Sequence, residues 1–253
     1  MVSVMMAAVG ILIFMTSFLF AMLGLGGGML YMPIFHWLDF SLKNVVIPLA
    51  LLLNGLNTLL ALIPYGHRHL VDWKGGLPMA ISALIGAPIG ALVAPMLPDR
   101  LLLFIFAVLV AMAGVRTLTI VKNPEPDKNP SPWRRVLWGA LVCGVAGFLG
   151  GMLGIGGGFL ISPFLLWIGY RTKEAAATTA YIVTFSSFSG FLGHVGRMTI
   201  NPTLIIVTVG AVIIASLLGS TFMAQKAKPQ WVKTLYGILL LGVSIKLFIP
   251  FVL

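Results

Sequence analysis

Apolar positions along this chain neither alternate nor mark one helical face; they come in unbroken runs. Eight runs, near Val2–Leu23, Val45–Ile63, Gly75–Leu97, Leu101–Val121, Val136–Leu153, Ala175–Gly193, Pro202–Ala224 and Val232–Leu253, each come close to the ~20 residues with which a helix crosses a bilayer. Two shorter apolar pieces, Met29–Leu38 and Phe159–Ile168, follow the first and fifth runs. An outer-membrane barrel would show in–out alternation instead. The first run has no basic stretch ahead of it and glycines where a cleavage site would stand, so it reads as a span and not a secretory signal. The pattern predicts an all-α polytopic membrane protein.

The runs repeat. Phe18–Trp37 returns 130 residues later as Phe148–Trp167, and the ungapped windows share eleven of twenty residues. The shared positions are Phe18, Leu19, Met22, Leu23, Gly24, Gly26, Gly27, Gly28, Leu30, Pro33 and Trp37. Each window holds a G-x-G-G-G break in apolar sequence, with proline five residues after the last glycine. The chain therefore divides into two homologous halves, each with a glycine-broken first helix. We assign residues 1–121 to the first repeat, 122–135 to a linker and 136–253 to the second repeat. Matched interruptions in two halves point to a transport site.

Composition and charge sharpen this picture. Hydrophobic residues make up 59% of the chain and charged residues 9%, which removes it from the soluble class. A net charge of +10 would suit nucleic acid, but the basic residues stand in loops between spans, so no nucleic-acid partner is expected. Lys122–Arg135, with Pro124, Pro126, Pro130 and Pro132, reads as an extended linker. If each half crosses four times, Lys and Arg divide nine to seven between the two sides. If each glycine break makes a hairpin, the halves are inverted and the division is twelve to four, with only Lys43, Arg100, Arg197 and Lys246 on the minority side. The second arrangement predicts inverted repeats with the linker cytoplasmic, both termini outside, and a multi-pass location in the inner (plasma) membrane.

Candidate chemistry is sparse. Glycines at Gly24, Gly26, Gly27 and Gly28 permit a sharp turn. Helices restarting at Met29 and Phe159 would aim backbone N–H groups and positive dipole ends at an anion. The competing role for the glycines is close helix packing. Uncharged polar residues follow in the next spans: Asn54, Asn57 and Thr58 in one, and Thr178, Thr179, Tyr181, Thr184, Ser186, Ser187 and Ser189 in the other. The candidate substrate site comprises Gly26, Gly27, Gly28, Met29, Asn54, Asn57, Gly156, Gly157, Gly158, Phe159, Thr179 and Ser187. All six carboxylates (Asp39, Asp72, Asp99, Glu125, Asp127 and Glu174) fall in loops or at span ends, so no intramembrane proton relay is expected and an anionic substrate is favoured. His194 reads as interfacial, Arg116 and Lys246 as snorkelling cations, and Trp37 and Trp167 as interface anchors. Cys143 reads as a small packing residue. His67 and His69 make a weak metal motif, and neither a metal nor a cofactor is expected. The spans hold no Ser–His–Asp set, carboxylate pair or H-E-x-x-H, so the chain is not expected to be an enzyme.

GLGGGMLYMP at Gly24–Pro33 and GIGGGFLISP at Gly154–Pro163 resemble the TauE/SafE sulfite-exporter family of membrane permeases. The spacing of the following spans carries the resemblance over nearly the whole chain. It implies outward transport of a small sulfur-containing anion, of the sulfite or organosulfonate class, with the two glycine breaks at the site. Val46–Asn54 departs from the Thr-rich form present at Ala177–Tyr181, so the two halves need not contribute equally. The expected partners are this anion and the lipid bilayer. The sequence sets no oligomeric state; a homodimer is one that the fold class allows. The rival readings are a channel-like anion facilitator and, from another class, an intramembrane enzyme.

Overall fold

A computed structural model describes residues 2–120, 132–199, 201–225 and 229–252. Among these the secondary structure is helical: α1 (Val2–Leu23), α2 (Gly28–His36), α3 (Ile47–His67), α4 (Trp73–Val93), α5 (Asp99–Ile120), α6 (Pro132–Leu153), α7 (Gly158–Trp167), α8 (Thr172–His194), α9 (Pro202–Gln225) and α10 (Pro229–Val252). Seven of the helices are long and apolar enough to cross a membrane, and α10 adds an apolar stretch from Gly237 to Ile249. The chain is a polytopic α-helical membrane protein. The expected linker lies outside the described residues up to residue 131. From Pro132 the chain is already helical, because proline's fixed φ suits the first turn, where its missing N–H is not needed. α3 is entered through a π-helical turn at Leu42–Val46, and it runs four residues past the expected end at Ile63.

Small residues set how the helices meet. A Cβ on Gly86 or Gly90 of α4 would collide with the backbone of α6 at Gly144 and Phe148, and one on Gly147 or Gly151 would collide with Ala83 and Ala87 of α4. The two backbones are in direct contact, and residue numbers rise together along both. Close approach of this kind supplies the dispersion energy that holds helices together where lipid removes the hydrophobic drive. In the same way, Gly10 of α1 faces Val207 of α9, and Gly219 of α9 faces Phe18. Other pairs run oppositely. Asn54 and Thr58 of α3 bond Ser187 and Thr184 of α8 in falling order. Gly114 of α5 meets Leu241 of α10, while Gly237 meets Leu118.

These pairings obey the repeat. Adding 130 to first-half numbers turns α1 into α6, α3 into α8, α4 into α9 and α5 into α10. The contact α4–α6 then becomes α9–α1, and α3–α8 and α5–α10 map onto themselves. Each half therefore packs its fourth helix against the other half's first, so neither half's contacts are complete alone.

Candidate functional site

The glycine breaks sit where the halves meet. Gly24, Gly26, Gly154, Gly156 and Gly157 have φ of 64°, 68°, 81°, 67° and 84°. These are left-handed conformations that side chains with a Cβ disfavour. Gly27 differs from its counterpart Gly157, with φ of −96°. The sequence alignment does not predict this asymmetry, because identical residues occupy the two positions. The breaks touch each other: a Cβ on Gly28 would lie 2.6 Å from Ile155 Cα, and one on Gly158 would lie 2.6 Å from Leu25 O. The closing proline of each motif lies inside its short helix, at Pro33 of α2 and Pro163 of α7.

Asn54 occupies the point of convergence. Its Oδ1 accepts the Gly28 N–H at 2.7 Å, and its Nδ2 donates to Ser187 Oγ at 2.8 Å. A Cβ on Gly26 would strike the Asn54 carboxamide, and one on Gly156 would strike both Asn54 Nδ2 and Ser187 Oγ. Asn54 thus caps α2 from another helix, a role that side chains usually fill from within the same chain turn. Ser186 adds a bond to Gly156 O at 2.6 Å, and Thr184 Oγ1 donates to Thr58 Oγ1 at 2.9 Å.

All twelve candidate residues are buried, and the structure divides them. Gly26, Gly28, Asn54, Gly156 and Ser187 come together as one cluster, with Gly158 packed on Leu25 beside it. Thr179 lies on the α8 face that Ala176 and Val183 present to Gly24 and Gly156, and its hydroxyl has no hydrogen-bond partner. Asn57 belongs to a separate group: its Nδ2 donates to Ser17 O at 3.0 Å and Tyr31 Oη at 2.9 Å, and its Oδ1 is unpartnered. Gly27 borders that group through Tyr31, whose ring fills the space a Cβ on Gly27 would need, and Met29 is buried in the first turn of α2. Gly157 packs on Ala146 of α6, and Phe159 faces α5 across a cavity.

Two expectations need correction. The short helices expected to restart at Met29 and Phe159 begin one residue earlier, at Gly28 and Gly158, and the Gly28 N–H donates to Asn54 Oδ1. His194, read as an interfacial residue, is instead buried within the protein at the end of α8, with Nε2 at 2.9 Å from Gly151 O, a carbonyl that the turn beyond α6 leaves without a helical partner. Ser17, Tyr31 and Tyr65 lie outside the sequence-based set. Tyr65 Oη donates to Ala21 O at 3.0 Å and Met22 O at 2.9 Å, and so satisfies the end of α1 before the break. The only signal for Tyr65 is a polar tip inside an apolar run.

Among the described residues the carboxylates stay at helix ends or in the loop after α2. Asp72 caps α4, accepting Gly75 N at 2.8 Å and Tyr170 Oη at 2.7 Å, while Asp99 pairs with Lys43 at 3.0 Å. Among the described residues no group of three metal-ligating side chains forms.

The family described as sulfite exporter TauE/SafE matches residues 9–247. A probable membrane transporter protein of Sinorhizobium fredii is 27% identical over 260 residues, covering 95% of this chain and 98% of that one. A probable membrane transporter protein of Bacillus subtilis is 30% identical over 201 residues, covering 69% of this chain and 72% of that one. The sulfite exporter TauE/SafE family protein 6 of Arabidopsis thaliana is 32% identical over 122 residues, 48% of this chain and 28% of that one. No solved structure matches the chain significantly. Two G-x-G-G-G breaks, packed on each other inside a helical membrane fold and matched over nearly the full length, make this chain a member of the TauE/SafE sulfite exporter family of membrane transporters.

Proposed function

We propose that this protein exports a small sulfur-containing anion, of the sulfite or organosulfonate class, across the inner membrane. We further propose that the site lies where the two glycine breaks meet around Asn54. The observation that carries this reading is the contact of the breaks: Gly28 on Ile155 and Gly158 on Leu25, with Asn54 bonding both halves. Two helices begin at one buried point, and two helix N-termini there concentrate positive dipole. Among the described residues no carboxylate joins the central cluster, and the absence of fixed negative charge there suits an anion. Displacing the Asn54 carboxamide from Gly28 N–H would open the first donor.

The directions of the helices support inverted halves. α3 and α8 run oppositely, as do α5 and α10, and each pair consists of repeat counterparts. A two-fold axis along the membrane normal would leave counterparts parallel, whereas one in the membrane plane reverses them. The occluded packing at the centre favours a carrier over a channel-like facilitator. Purified protein in liposomes should take up radiolabelled sulfite or a sulfonate with saturable kinetics, tested beside sulfate, thiosulfate and carboxylates. Flux of carboxylates alone would defeat the substrate class, and flux that never saturates would return the protein to the channel class.

A further inference from the structure

Two cations at the repeat distance have different surroundings. Arg116 on α5 and Lys246 on α10 lie 130 residues apart, as do Trp167 on α7 and Trp37 beyond α2. In the α2–α10 pair, Lys246 Nζ stands 3.8 Å from the centre of the Trp37 ring. This is a cation–π contact that supplies the ammonium with a partner. In the α5–α7 pair there is no equivalent among the described residues. Trp167 is 71% exposed against 37% for Trp37, and a cavity of about 660 Å³ opens between α5 and α7.

Leu109, Met112, Arg116 and Thr119 of α5 line this cavity with Phe159 and Pro163 of α7. Its wall is apolar apart from Arg116 and Thr119, and among the described residues no carboxylate lines it. The Thr119 hydroxyl bonds the Arg116 backbone carbonyl at 2.8 Å, and the guanidinium makes no hydrogen bond or ion pair among the described residues. The groove leads from this exposed cation to buried Phe159, the residue after Gly158 at the start of α7. A guanidinium offers a planar pair of donors that fits two oxygens of a sulfonate or sulfite, and an apolar wall strengthens that attraction.

We propose that the α5–α7 groove is a vestibule that binds the transported sulfur oxyanion through Arg116, and that Lys246 on Trp37 is the same device in its closed form. The proposal rests on the export reading above. A lipid phosphate shares the chemistry, but the groove's extension to the first turn of α7, beside the glycine break, favours a small anion over a lipid headgroup.

Met112 stands one turn before Arg116 and is 59% exposed, so a cysteine there reports on the groove while leaving the guanidinium in place. The protein would carry Cys143→Ala and Met112→Cys in phosphatidylcholine liposomes, with an uncharged maleimide as reagent. Methanesulfonate, permanently ionised and inert to maleimide, is the probe. It should slow labelling roughly tenfold at roughly ten times its dissociation constant, as simple occupancy requires. Adding Arg116→Ala should remove the protection, and Arg116→Lys should keep part of it. A cysteine in place of Ile206, exposed on α9, should label at an unchanged rate. Labelling of the Met112→Cys protein at the same rate with and without methanesulfonate overturns the proposal, as does slowing that needs phosphatidylglycerol in the bilayer and ignores methanesulfonate. Transport by the unmodified protein is scored separately. Protection without transport keeps the site and defeats export of this anion, and transport without protection does the reverse.

Discussion

At the scale of single residues, Asn54 carries the most. It bonds Gly28 N and Ser187 Oγ, and it fills the space left by the absent side chains of Gly26 and Gly156. Two substitutions separate structure from function. Asn54→Leu strands the Gly28 N–H in a buried site, which costs about 1–3 kcal/mol, and should lower thermal stability measurably in detergent. Asn54→Asp keeps the acceptor for Gly28 and nearly the same shape, but places a negative charge at the proposed anion site. It should insert normally and lose transport by more than about tenfold, since repulsion of even about 1.4 kcal/mol gives that factor. Full flux in the Asn54→Asp variant would remove the centre from the pathway. The importance of Asn54 was legible in the sequence, because an amide in an apolar span requires partners. Its partner was not legible: a one-dimensional pattern does not say which helix reaches the N-terminus of α2. The group of Ser17, Tyr31 and Asn57 stayed hidden for a similar reason, since Ser17 and Tyr31 sit in runs that read as continuous lipid-spanning or packing sequence.

At the scale of elements, the glycines do two jobs, and the distinction is positional. All but Gly27 and Gly28 in the first break and Gly158 in the second take left-handed φ, whereas Gly86, Gly90, Gly147 and Gly151 are helical and let α4 and α6 touch. A glycine-rich motif in an apolar chain is open to both functions, and spacing alone could separate only the breaks, where four glycines fall within five residues. The α4–α6 seam joins the two halves, so its failure should be felt globally. Gly151→Leu drives a side chain into the backbone of Ala87, and overpacking of this order costs about 1–3 kcal/mol or more. The expected result is a lower melting temperature in detergent and poor yield. Gly210→Leu, on α9 where a Cβ meets nothing within 4 Å, should leave both unchanged. Equal behaviour of the two variants would mean that the seam contributes no net stability.

At the scale of the whole molecule, the eight long runs and the repeat were readable because a bilayer demands continuous apolar length, and duplication preserved the glycines. The cross-packing of α4 on α6 and α9 on α1 was not readable, since apolar runs of equal length specify no neighbours. The inverted arrangement predicts that reporters fused at Asn129 and after Leu253 lie on opposite sides, Asn129 inside; the same side for both would end that topology. The driving force follows from where charge is placed. Asp72, Asp99 and Glu174 stand at helix ends, and the central cluster around Asn54 consists of amide, hydroxyl and backbone groups. With no carboxylate there to shuttle a proton, flux of a permanently ionised sulfonate should follow membrane potential and not an imposed pH gradient. A singly charged anion gains about 2.3 kcal/mol on leaving a compartment held at about −100 mV, roughly a fiftyfold concentration ratio. Sulfite would confuse this measurement, because its own protonation imitates coupling. Methanesulfonate flux in liposomes, with potential and pH set independently by ionophores, gives the clean answer. Strict dependence on the pH gradient at zero potential would refute uncoupled anion movement and direct attention to His194, the buried imidazole held against Gly151 at the end of α8.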